Sequence, residues 1–322
     1  MIYVKLKQTD LKVSRLCLGT MTFGKPVDQL TANWMLDRCM AEGINFVDTA
    51  NIYQLGTAES MLGEAMRGKR DKLIVATKVR GKMGEGKHQN GLSKHAIFQA
   101  IEDSLRRLRT DCVDLYYLHQ PDYDVGIEET LYAMEQLVKQ GKIRYPATSN
   151  YAGWQVCEML SLAKQHGYRP AHVSQPMYNL LARGIEQEYL PMAKKCDVSI
   201  LAYNPLAGGL LTGKHSFETI SPGTRFDQNS MYQDRYWCSE YFAAVEGLKQ
   251  IARTSGRSLI SLALNWLLHH TATDCVILGS TRTHQLDENL AMCKEGPLPP
   301  EVLQSCDEIW RRLRGPAPIY NR

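Results

Sequence analysis

The chain has 322 residues, a hydrophobic content of 44 % and a net charge of +4 from 38 basic and 34 acidic side chains. This length can bury a large core, and the small, scattered charge excess gives no reason to expect nucleic-acid binding. Nine dispersed cysteines without a CxxC spacing argue against a disulfide framework or a metal site, so we expect reduced thiols. With no membrane-spanning apolar run and no signal or transit pattern at the N-terminus, we expect a cytoplasmic protein.

Eight short apolar runs follow one another along the chain, and each predicts a β-strand. The strand candidates are RLCLGT (15–20), INFVDT (44–49), LIVATK (73–78), VDLYYLH (113–119), IRYPATSN (143–150), HVSQ (172–175), VSILAYN (198–204) and DCVILGS (274–280). Segments with helical spacing lie between them, including 94–110 and 127–141. Near-continuous apolar strands that alternate with helices are typical of a buried parallel sheet, and eight such units indicate a closed (β/α)8 TIM barrel.

Three segments depart from a minimal barrel. Residues 1–14 precede the first strand and predict a hairpin across the bottom of the barrel. Residues 215–257 form a long insertion before the last strand, with an extra helix at about 239–255, and long insertions of this kind are often binding loops. Residues 299–314 predict one more helix at the C-terminal end. With no linker or repeat, the chain is expected to be a single domain over 1–322.

Four polar residues lie at or near the ends of three predicted strands: Asp48, Tyr53, Lys78 and His119. Because the carboxyl ends of barrel strands form the catalytic face, we expect these side chains to converge. A lysine ammonium lowers the pKa of a neighbouring tyrosine, a carboxylate keeps that lysine charged, and a histidine can orient a carbonyl. The set predicts a proton-relay site that reduces an aldehyde or ketone, with Tyr53 as the proton donor.

Three of these residues also have a simpler explanation when each is taken alone. Asp48 could cap a loop, Lys78 could be a solvated strand end, and His119 could be a hydrogen-bonded core residue. Their combination at these strand ends favours the catalytic interpretation. A reduction also needs a hydride from a cofactor, because no side chain supplies one. No GxGxxG sequence follows the first strand, so a Rossmann-type cofactor site is not expected.

At this point the chain resembles the aldo-keto reductase family along nearly its whole length. The supporting segments are FVDTANIY, which ends at Tyr53, and IVATK, DLYYLH, GKIRYPATSN, YNPLAGGLLTGK and LGSTRTHQLDENL. NYAGWQVCEML, PMYNLLARGIEQEYLPM, DRYW and APIYNR are similar to its aflatoxin-aldehyde and succinic-semialdehyde reductase branch. The resemblance implies a small carbonyl substrate and a tendency to form a homodimer.

The resemblance also implies a nicotinamide cofactor across the barrel mouth. Ser149, Asn150 and Gln175 would hold the carboxamide, and Tyr203 would stack on the nicotinamide ring. The pyrophosphate path would be lined by Pro205, Leu206, Ala207 and Gly208, with Lys214 and Arg225 on phosphate oxygens. An ordinary Pro/Gly turn is the alternative explanation of this loop.

The last predicted loop matches the adenosine-end motif of the family. The matching residues are Gly279, Thr281, Arg282, Gln285, Glu288 and Asn289. Arg282 suits a 2′-phosphate, since a guanidinium group matches phosphate oxygens. No carboxylate stands at 280–283 to hold a free ribose hydroxyl, so we expect NADP(H); a solvated loop arginine is the alternative.

Two features depart from the family pattern. Pro146 lies in the fifth predicted strand, where the missing N–H predicts a bulge. In the insertion, Gln233 stands where the similar branch tends to have an arginine. Arg235 and the terminal Arg322 remain candidates for binding an acidic substrate group, and a surface ion pair is an equally good explanation of them.

Two other functions stay open from the sequence. Potassium-channel β-subunits share this fold, this cofactor and the four polar residues Asp48, Tyr53, Lys78 and His119, which we call the tetrad. The chain could therefore be a cofactor-binding regulatory subunit. Lys78 could instead serve a Schiff-base lyase. The sequence does not name the substrate, since sugars, semialdehydes and dicarbonyls all fit a pocket walled by loops.

Overall fold

The computed structural model describes residues 1–317, so Arg322 lies outside the described residues. Backbone contacts divide the chain into two compact units. The barrel unit comprises Met1–Pro176, Glu188–Leu201 and Asp274–Leu286, and the helical unit comprises Met177–Gln187, Ala202–Thr273 and the chain from Asp287. The single domain over 1–322 stays a prediction.

The described residues contain ten strands and eleven α-helices. The strands are β1 (Tyr3–Lys5), β2 (Lys12–Ser14), β3 (Leu16–Gly19), β4 (Phe46–Asp48), β5 (Ile74–Val79), β6 (Val113–Leu118), β7 (Ile143–Ser149), β8 (Val173–Gln175), β9 (Ser199–Ala202) and β10 (Cys275–Leu278). The helices are α1 (Gln29–Ala41), α2 (Thr57–Ala65), α3 (Lys94–Leu108), α4 (Ile127–Lys139), α5 (Gly153–His166), α6 (Tyr189–Lys195), α7 (Ser230–Tyr236), α8 (Ser239–Thr254), α9 (Leu259–His270), α10 (Thr283–Met292) and α11 (Pro300–Arg314). None of the helices in this part of the chain is long and apolar enough to cross a membrane.

Eight strands close into a parallel barrel in the order β10-β3-β4-β5-β6-β7-β8-β9. This confirms the predicted (β/α)8 architecture. The apolar runs explain it, because a strand covered on both faces must be apolar throughout, and every residue of β6 is buried. The helical spacing in α3 places Ile97, Ile101 and Leu105 on its buried side.

The hairpin predicted at the N-terminus lies at the end of the barrel where the strands begin. β1 and β2 pair antiparallel, with Tyr3 opposite Ser14. The Lys7 N–H donates to Ser199 Oγ at 2.9 Å, at the start of β9, and the Ser14 N–H donates to Asn45 Oδ1 at 2.8 Å, just before β4. The hairpin does not cover the opposite end of the barrel, where the strands finish and where barrel enzymes have their active sites.

The bulge expected at Pro146 was wrong. β6 and β7 pair in constant register through this position, from Leu115 opposite Tyr145 to Leu118 opposite Thr148. Pairing of β7 with β8 begins only at Thr148. At position 146, β7 therefore has no β8 partner with which a proline could interfere, and proline is tolerated where a strand has no neighbour on one side.

The helical unit contains the insertion and the C-terminal helix. The insertion carries α8, close to the predicted 239–255, and also α7, which was not predicted. α11 confirms the extra C-terminal helix. Arg183 joins parts of this unit that are far apart in sequence: it pairs with Asp307 at 2.7 Å and lies 4.8 Å from the centre of the Trp266 ring.

Candidate active site

Asp48 and Lys78 meet because their strands are neighbours in the barrel. Asp48 is the last residue of β4 and lies opposite Ala76 of β5. Lys78, two residues further along β5, reaches back so that its Nζ donates to Asp48 Oδ1 and to the Thr49 carbonyl, the latter at 2.7 Å. The Lys78 side chain is fully buried. The barrel unit thus buries an ion pair at the finishing ends of its strands.

The pair keeps Lys78 protonated. Burial alone would lower the pKa of Lys78, because it disfavours the charged ammonium. The charges of Asp48 and Tyr53 and the hydrogen bond to Asp48 outweigh it, and the pKa of Lys78 is raised above its ordinary value. A cation is therefore available beside Tyr53.

Gln175 binds the second oxygen of the Asp48 carboxylate. Its Nε2 donates to Asp48 Oδ2 at 2.9 Å, so both oxygens of Asp48 are bonded. The Gln175 carbonyl accepts from Ser149 Oγ at 2.9 Å, and Asn150 Nδ2 donates to the His119 carbonyl at 2.8 Å. Three residues predicted for the nicotinamide amide thus lie next to the tetrad in the barrel unit.

Tyr53 lies in a short 3-10 helix, Tyr53–Gly56, just beyond β4. Lys78 Nζ is 5.2 Å from the centre of its ring. The His119 ring centre is 6.0 Å from that of Tyr53, with the two planes at 78°. The Tyr53 phenol therefore has both an ammonium group and an imidazole ring as close neighbours.

His119 follows β6 directly and is half-buried. Its backbone N–H donates to the Val79 carbonyl at 3.0 Å, so the imidazole takes no part in this bond. Burial and the positive charges of Lys78 and Arg80 lower the pKa of His119 to about 3. The imidazole is therefore neutral at physiological pH, and a neutral imidazole can donate one hydrogen bond. The four residues together can protonate and orient a carbonyl oxygen.

The predicted adenosine-end residues follow β10. Gly279 and Arg282 are exposed, and Gln285 Oε1 accepts from the Thr281 N–H at 3.1 Å and from Thr281 Oγ1 at 2.8 Å. These two hydrogen bonds stabilise the turn that leads into α10. Glu288 and Asn289 lie further along α10, where Glu288 is exposed and Asn289 is buried. The exposed Arg282 guanidinium is suited to bind an anion from solvent.

The predicted pyrophosphate loop lies in the helical unit. Ala207, Gly208 and Gly209 have consecutive left-handed φ values of 50°, 69° and 107°. A Cβ on Gly208 would lie 2.8 Å from the Tyr232 ring, so both its φ and its neighbours require glycine. Pro205 is buried and Leu206 half-buried beside this turn, and Lys214 is exposed after it.

Two other predicted residues of the helical unit have contacts within that unit. Tyr203 follows β9 and pairs with Met177 in an isolated bridge. Arg225 donates to Tyr232 Oη at 3.3 Å, and its guanidinium lies 5.3 Å from the centre of that ring.

Arg235 lies in α7, half-exposed, with its guanidinium 5.8 Å from the centre of the Tyr232 ring. No ion pair of Arg235 occurs within residues 1–317. Gln233 donates to the Phe226 carbonyl at 2.7 Å, so it holds the insertion together. Arg322, the second residue predicted to bind an acidic group, falls outside the described residues.

Two contributions to this site were not predicted from the sequence. One is the bond from Gln175 to Asp48, and the other is the Thr49 carbonyl that accepts from Lys78. The Thr49 contact had a local signal, because Thr49 follows Asp48 directly. The Gln175 contact had none, since the two residues are 127 positions apart. Residues 1–317 contain no cluster of three or more side chains arranged to hold a metal ion.

Comparison with known proteins gives one consistent result. A model of the Aldo/keto reductase family matches residues 15–311. Aflatoxin B1 aldehyde reductase member 2 of Rattus norvegicus is 38 % identical over 95 % of this chain and 87 % of its own length. Aldo-keto reductase family 7 member A3 of Homo sapiens is 36 % identical over 95 % of this chain and 96 % of its own. A probable voltage-gated potassium channel subunit beta of Oryza sativa subsp. japonica is 34 % identical over 96 % of each.

Proposed function

This chain belongs to the aldo/keto reductase family, and from that premise we propose that it reduces an aldehyde or ketone to the alcohol with NADPH. Membership supports an oxidoreductase that acts on small carbonyl compounds. The observation that carries the finer proposal is the buried pair of Lys78 and Asp48 beside Tyr53. Well-packed apolar residues often stabilise a fold as well as a buried ion pair does, so stability alone is a weak reason for this pair.

In this proposal Tyr53 gives its hydroxyl proton to the carbonyl oxygen as negative charge develops there. The charge of Lys78 favours the tyrosinate that remains, which makes Tyr53 a better acid. Asp48, held by Gln175, keeps Lys78 protonated in its buried position. Neutral His119 donates a hydrogen bond that orients the carbonyl and stabilises the oxyanion.

A nicotinamide cofactor, when bound, supplies the hydride. The donor chemistry of the chain fits such a group. Ser149, Asn150 and Gln175 offer hydroxyl and amide groups for a carboxamide, and exposed Arg282 offers a guanidinium for a 2′-phosphate. We assign the remaining contacts by family resemblance. They are Tyr203, Pro205, Leu206, Ala207, Gly208, Lys214, Arg225, Gly279, Thr281, Gln285, Glu288 and Asn289.

A Schiff-base lyase is disfavoured by the state of Lys78. A nucleophilic lysine needs a lowered pKa so that the neutral amine is available. The pKa of Lys78 is raised instead, and its Nζ is engaged by Asp48 and Thr49. The lysine is a charged partner here and a poor nucleophile.

A regulatory role remains the second candidate, because the rice relative at 34 % identity carries the name of a channel subunit. The two functions differ in turnover. A reductase oxidises NADPH through many cycles when substrate is in excess, whereas a cofactor-binding subunit needs no sustained turnover. We favour the reductase, since three of the relatives at 36–38 % identity are named as reductases.

The test is NADPH oxidation, followed by absorbance across a panel of semialdehydes, dicarbonyls, keto-acids, sugars and neutral aromatic aldehydes. We expect sustained, substrate-dependent oxidation with at least one aldehyde, and slower oxidation of NADH. Tight NADPH binding without turnover on every member of the panel would favour the regulatory role.

We further propose a cytoplasmic location, in keeping with nine free thiols. A homodimer is proposed by resemblance alone, and light scattering of the purified chain tests it.

A further inference from the structure

A second buried carboxylate lies in the barrel unit, shortly after Tyr53 in the chain. Glu59 belongs to α2 and is fully buried. Its Oε1 accepts from Thr77 Oγ1 at 2.5 Å, and its Oε2 accepts from Arg107 Nε at 2.7 Å. Burying a charge is costly, and the tetrad chemistry gives Glu59 no part, so its place inside the protein calls for another explanation.

The partners of Glu59 lie on two other elements of the barrel unit. Arg107 is in the last turn of α3, and Thr77 is on β5 directly before Lys78. Successive side chains of a strand point to opposite faces, so Thr77 faces the helices while Lys78 reaches Asp48. Glu59 therefore joins α2 and α3 to the strand that carries Lys78.

The turn that carries Tyr53 has an unfavourable backbone. Left-handed φ values of 47°, 50° and 91° occur at three consecutive residues, Gln54, Leu55 and Gly56. Residues other than glycine avoid this conformation, and it persists where the surrounding structure enforces it. The turn therefore needs support from its neighbours.

Arg107 supplies such support. A Cβ on Gly56 would lie 2.7 Å from Arg107 Cδ and 2.8 Å from Arg107 Nε, so the turn packs directly on this side chain. The same Nε donates to Glu59. The position of Arg107 under the turn is therefore set by the buried carboxylate.

We propose that Glu59 is a positioning residue for the proton donor, because with Arg107 and Thr77 it fixes the Tyr53 turn relative to Lys78. This inference rests on the proposed role of Tyr53 as the acid. Glu59 touches neither substrate nor cofactor in this proposal. It acts on the turn through Arg107 and on β5 through Thr77, and a small displacement of the Tyr53 hydroxyl slows proton transfer because the rate depends steeply on geometry.

Asp114 offers a matched control at the opposite end of the barrel. It is buried near the start of β6 and accepts from Arg70 at 2.8 Å and from Arg144 at 2.6 Å. It also accepts from the N–H of Val75, near the start of β5, at 2.9 Å. Asp114 thus repeats the chemistry of Glu59, a buried carboxylate bonded to arginine and to β5, away from the Tyr53 turn.

The first experiment compares Glu59→Gln with Asp114→Asn in steady-state NADPH oxidation across a range of pH. Glu59→Gln should lower kcat by about ten- to a hundredfold, as expected for a misplaced catalytic group, while KM and the affinity for NADPH stay close to those of the natural chain. Asp114→Asn should lower the midpoint of urea unfolding to a similar extent and leave kcat unchanged. Equal kcat values for the two variants overturn the proposal.

A second pair of variants tests the hydrogen bond from β5. Thr77→Val keeps the shape of the side chain and removes its hydroxyl, whereas Thr77→Ser keeps the hydroxyl. We expect kcat to fall in Thr77→Val and to return toward the natural value in Thr77→Ser. The same kcat in both variants would show that the bond to Glu59 does not position Tyr53, and the proposal would be wrong.

One measurement needs no turnover. Each protein is titrated with base and followed by tyrosinate absorbance, and subtracting the curve of the same protein with Tyr53→Phe leaves the signal of Tyr53. If Glu59 holds Tyr53 beside the Lys78 charge, Tyr53 should ionise at higher pH in Glu59→Gln than in the natural chain. Unchanged ionisation of Tyr53 overturns the positioning role even where carbonyl reduction is observed. A shift in a chain that reduces no carbonyl supports the positioning role and counts against the reductase alone.

Discussion

Two charged regions of this chain are built in opposite ways. In the barrel unit, Lys78 is fully buried and bonded to Asp48 and to a backbone carbonyl. In the insertion of the helical unit, Arg225 and Arg235 are half-exposed, and both guanidinium groups lie over the ring of Tyr232. A buried charge depends on each of its partners, whereas an exposed one is supported by water.

This difference should appear in the sizes of mutational effects. Substitutions of the buried Lys78 and Asp48 should change stability by several kcal/mol, and loss of the proton donor Tyr53 should change activity by a similar amount. Substitutions of exposed arginines should change the affinity for one ligand and leave the fold intact.

Tyr53→Phe should have the largest effect on catalysis. It removes the proposed proton donor, so kcat for carbonyl reduction should fall by about 10²–10⁴-fold, the usual contribution of general acid catalysis. The measurement is steady-state NADPH oxidation, with cofactor binding followed by fluorescence to check that the site is intact. Near-normal turnover would show that the proton comes from another group.

The pair of Lys78 and Asp48 should behave as a unit. Lys78→Met and Asp48→Asn should each destabilise the fold by about 3–5 kcal/mol, because each leaves a buried partner without its counter-ion or hydrogen-bond network. The double variant should cost much less than the sum of the two. Chemical denaturation measures all three, with Lys82→Met, in the exposed pair with Glu85, as a control near zero. Additive effects would mean that the two side chains act independently.

Arg282→Ala should weaken NADPH binding by about 1.5–3 kcal/mol, the range for hydrogen bonds to charged groups. NADH lacks the 2′-phosphate, so its affinity should hardly change. Fluorescence titration with both cofactors gives the answer, and Arg253→Ala on α8 is the exposed-arginine control. An equal loss for NADPH and NADH would remove Arg282 from 2′-phosphate recognition.

His119 should make the fold less stable in mild acid. Its pKa is lowered from 6.5 to about 3 in the folded chain, so between these values the unfolded chain binds a proton that the folded chain does not. Stability from this residue is therefore complete above pH 6.5 and is lost as the pH falls toward 3. Relative to His119→Gln, the natural chain should lose about 1–2 kcal/mol between pH 7.5 and pH 5, measured by urea denaturation. Parallel pH curves for the two proteins would show that the histidine is protonated normally.

Arg235→Ala should have the smallest effect. If Arg235 binds an acidic substrate group, KM for a carboxylate-bearing aldehyde should rise by about two- to fivefold, the range for an exposed ion pair, while a neutral aromatic aldehyde is unaffected. Kinetics with the two substrates decide the matter. A similar response to both would make Arg235 structural and favour a general carbonyl or sugar reductase.

Much of the barrel unit could be predicted because local patterns and global architecture agree there. Asp48 ends β4, Lys78 lies one residue before the end of β5, and His119 follows β6. Parallel barrel strands finish at one rim, so polar residues at their ends must meet. The insertion was less predictable: α7 has only seven residues, and a helix of two turns leaves little periodic signal.

Pro146 shows why a correct local rule can fail. The rule that proline disrupts a strand assumes that its N–H would have had a partner in the sheet. β7 is paired with β6 at position 146, and whether it also has a partner on its other side depends on where pairing with β8 begins. That position is set by the closure of the barrel and by no feature near Pro146 itself.

The sequence by itself determined the fold class and the positions of the tetrad, because burial of eight apolar strands forces a parallel barrel and fixes which residues reach its rim. Only the tertiary structure decided that Gln175 holds Asp48 and that His119 is neutral. Each of these depends on burial or on contacts between residues far apart in the chain. Hydrogen bonds and desolvation act over a few ångströms in space, so no spacing along the sequence could have revealed them.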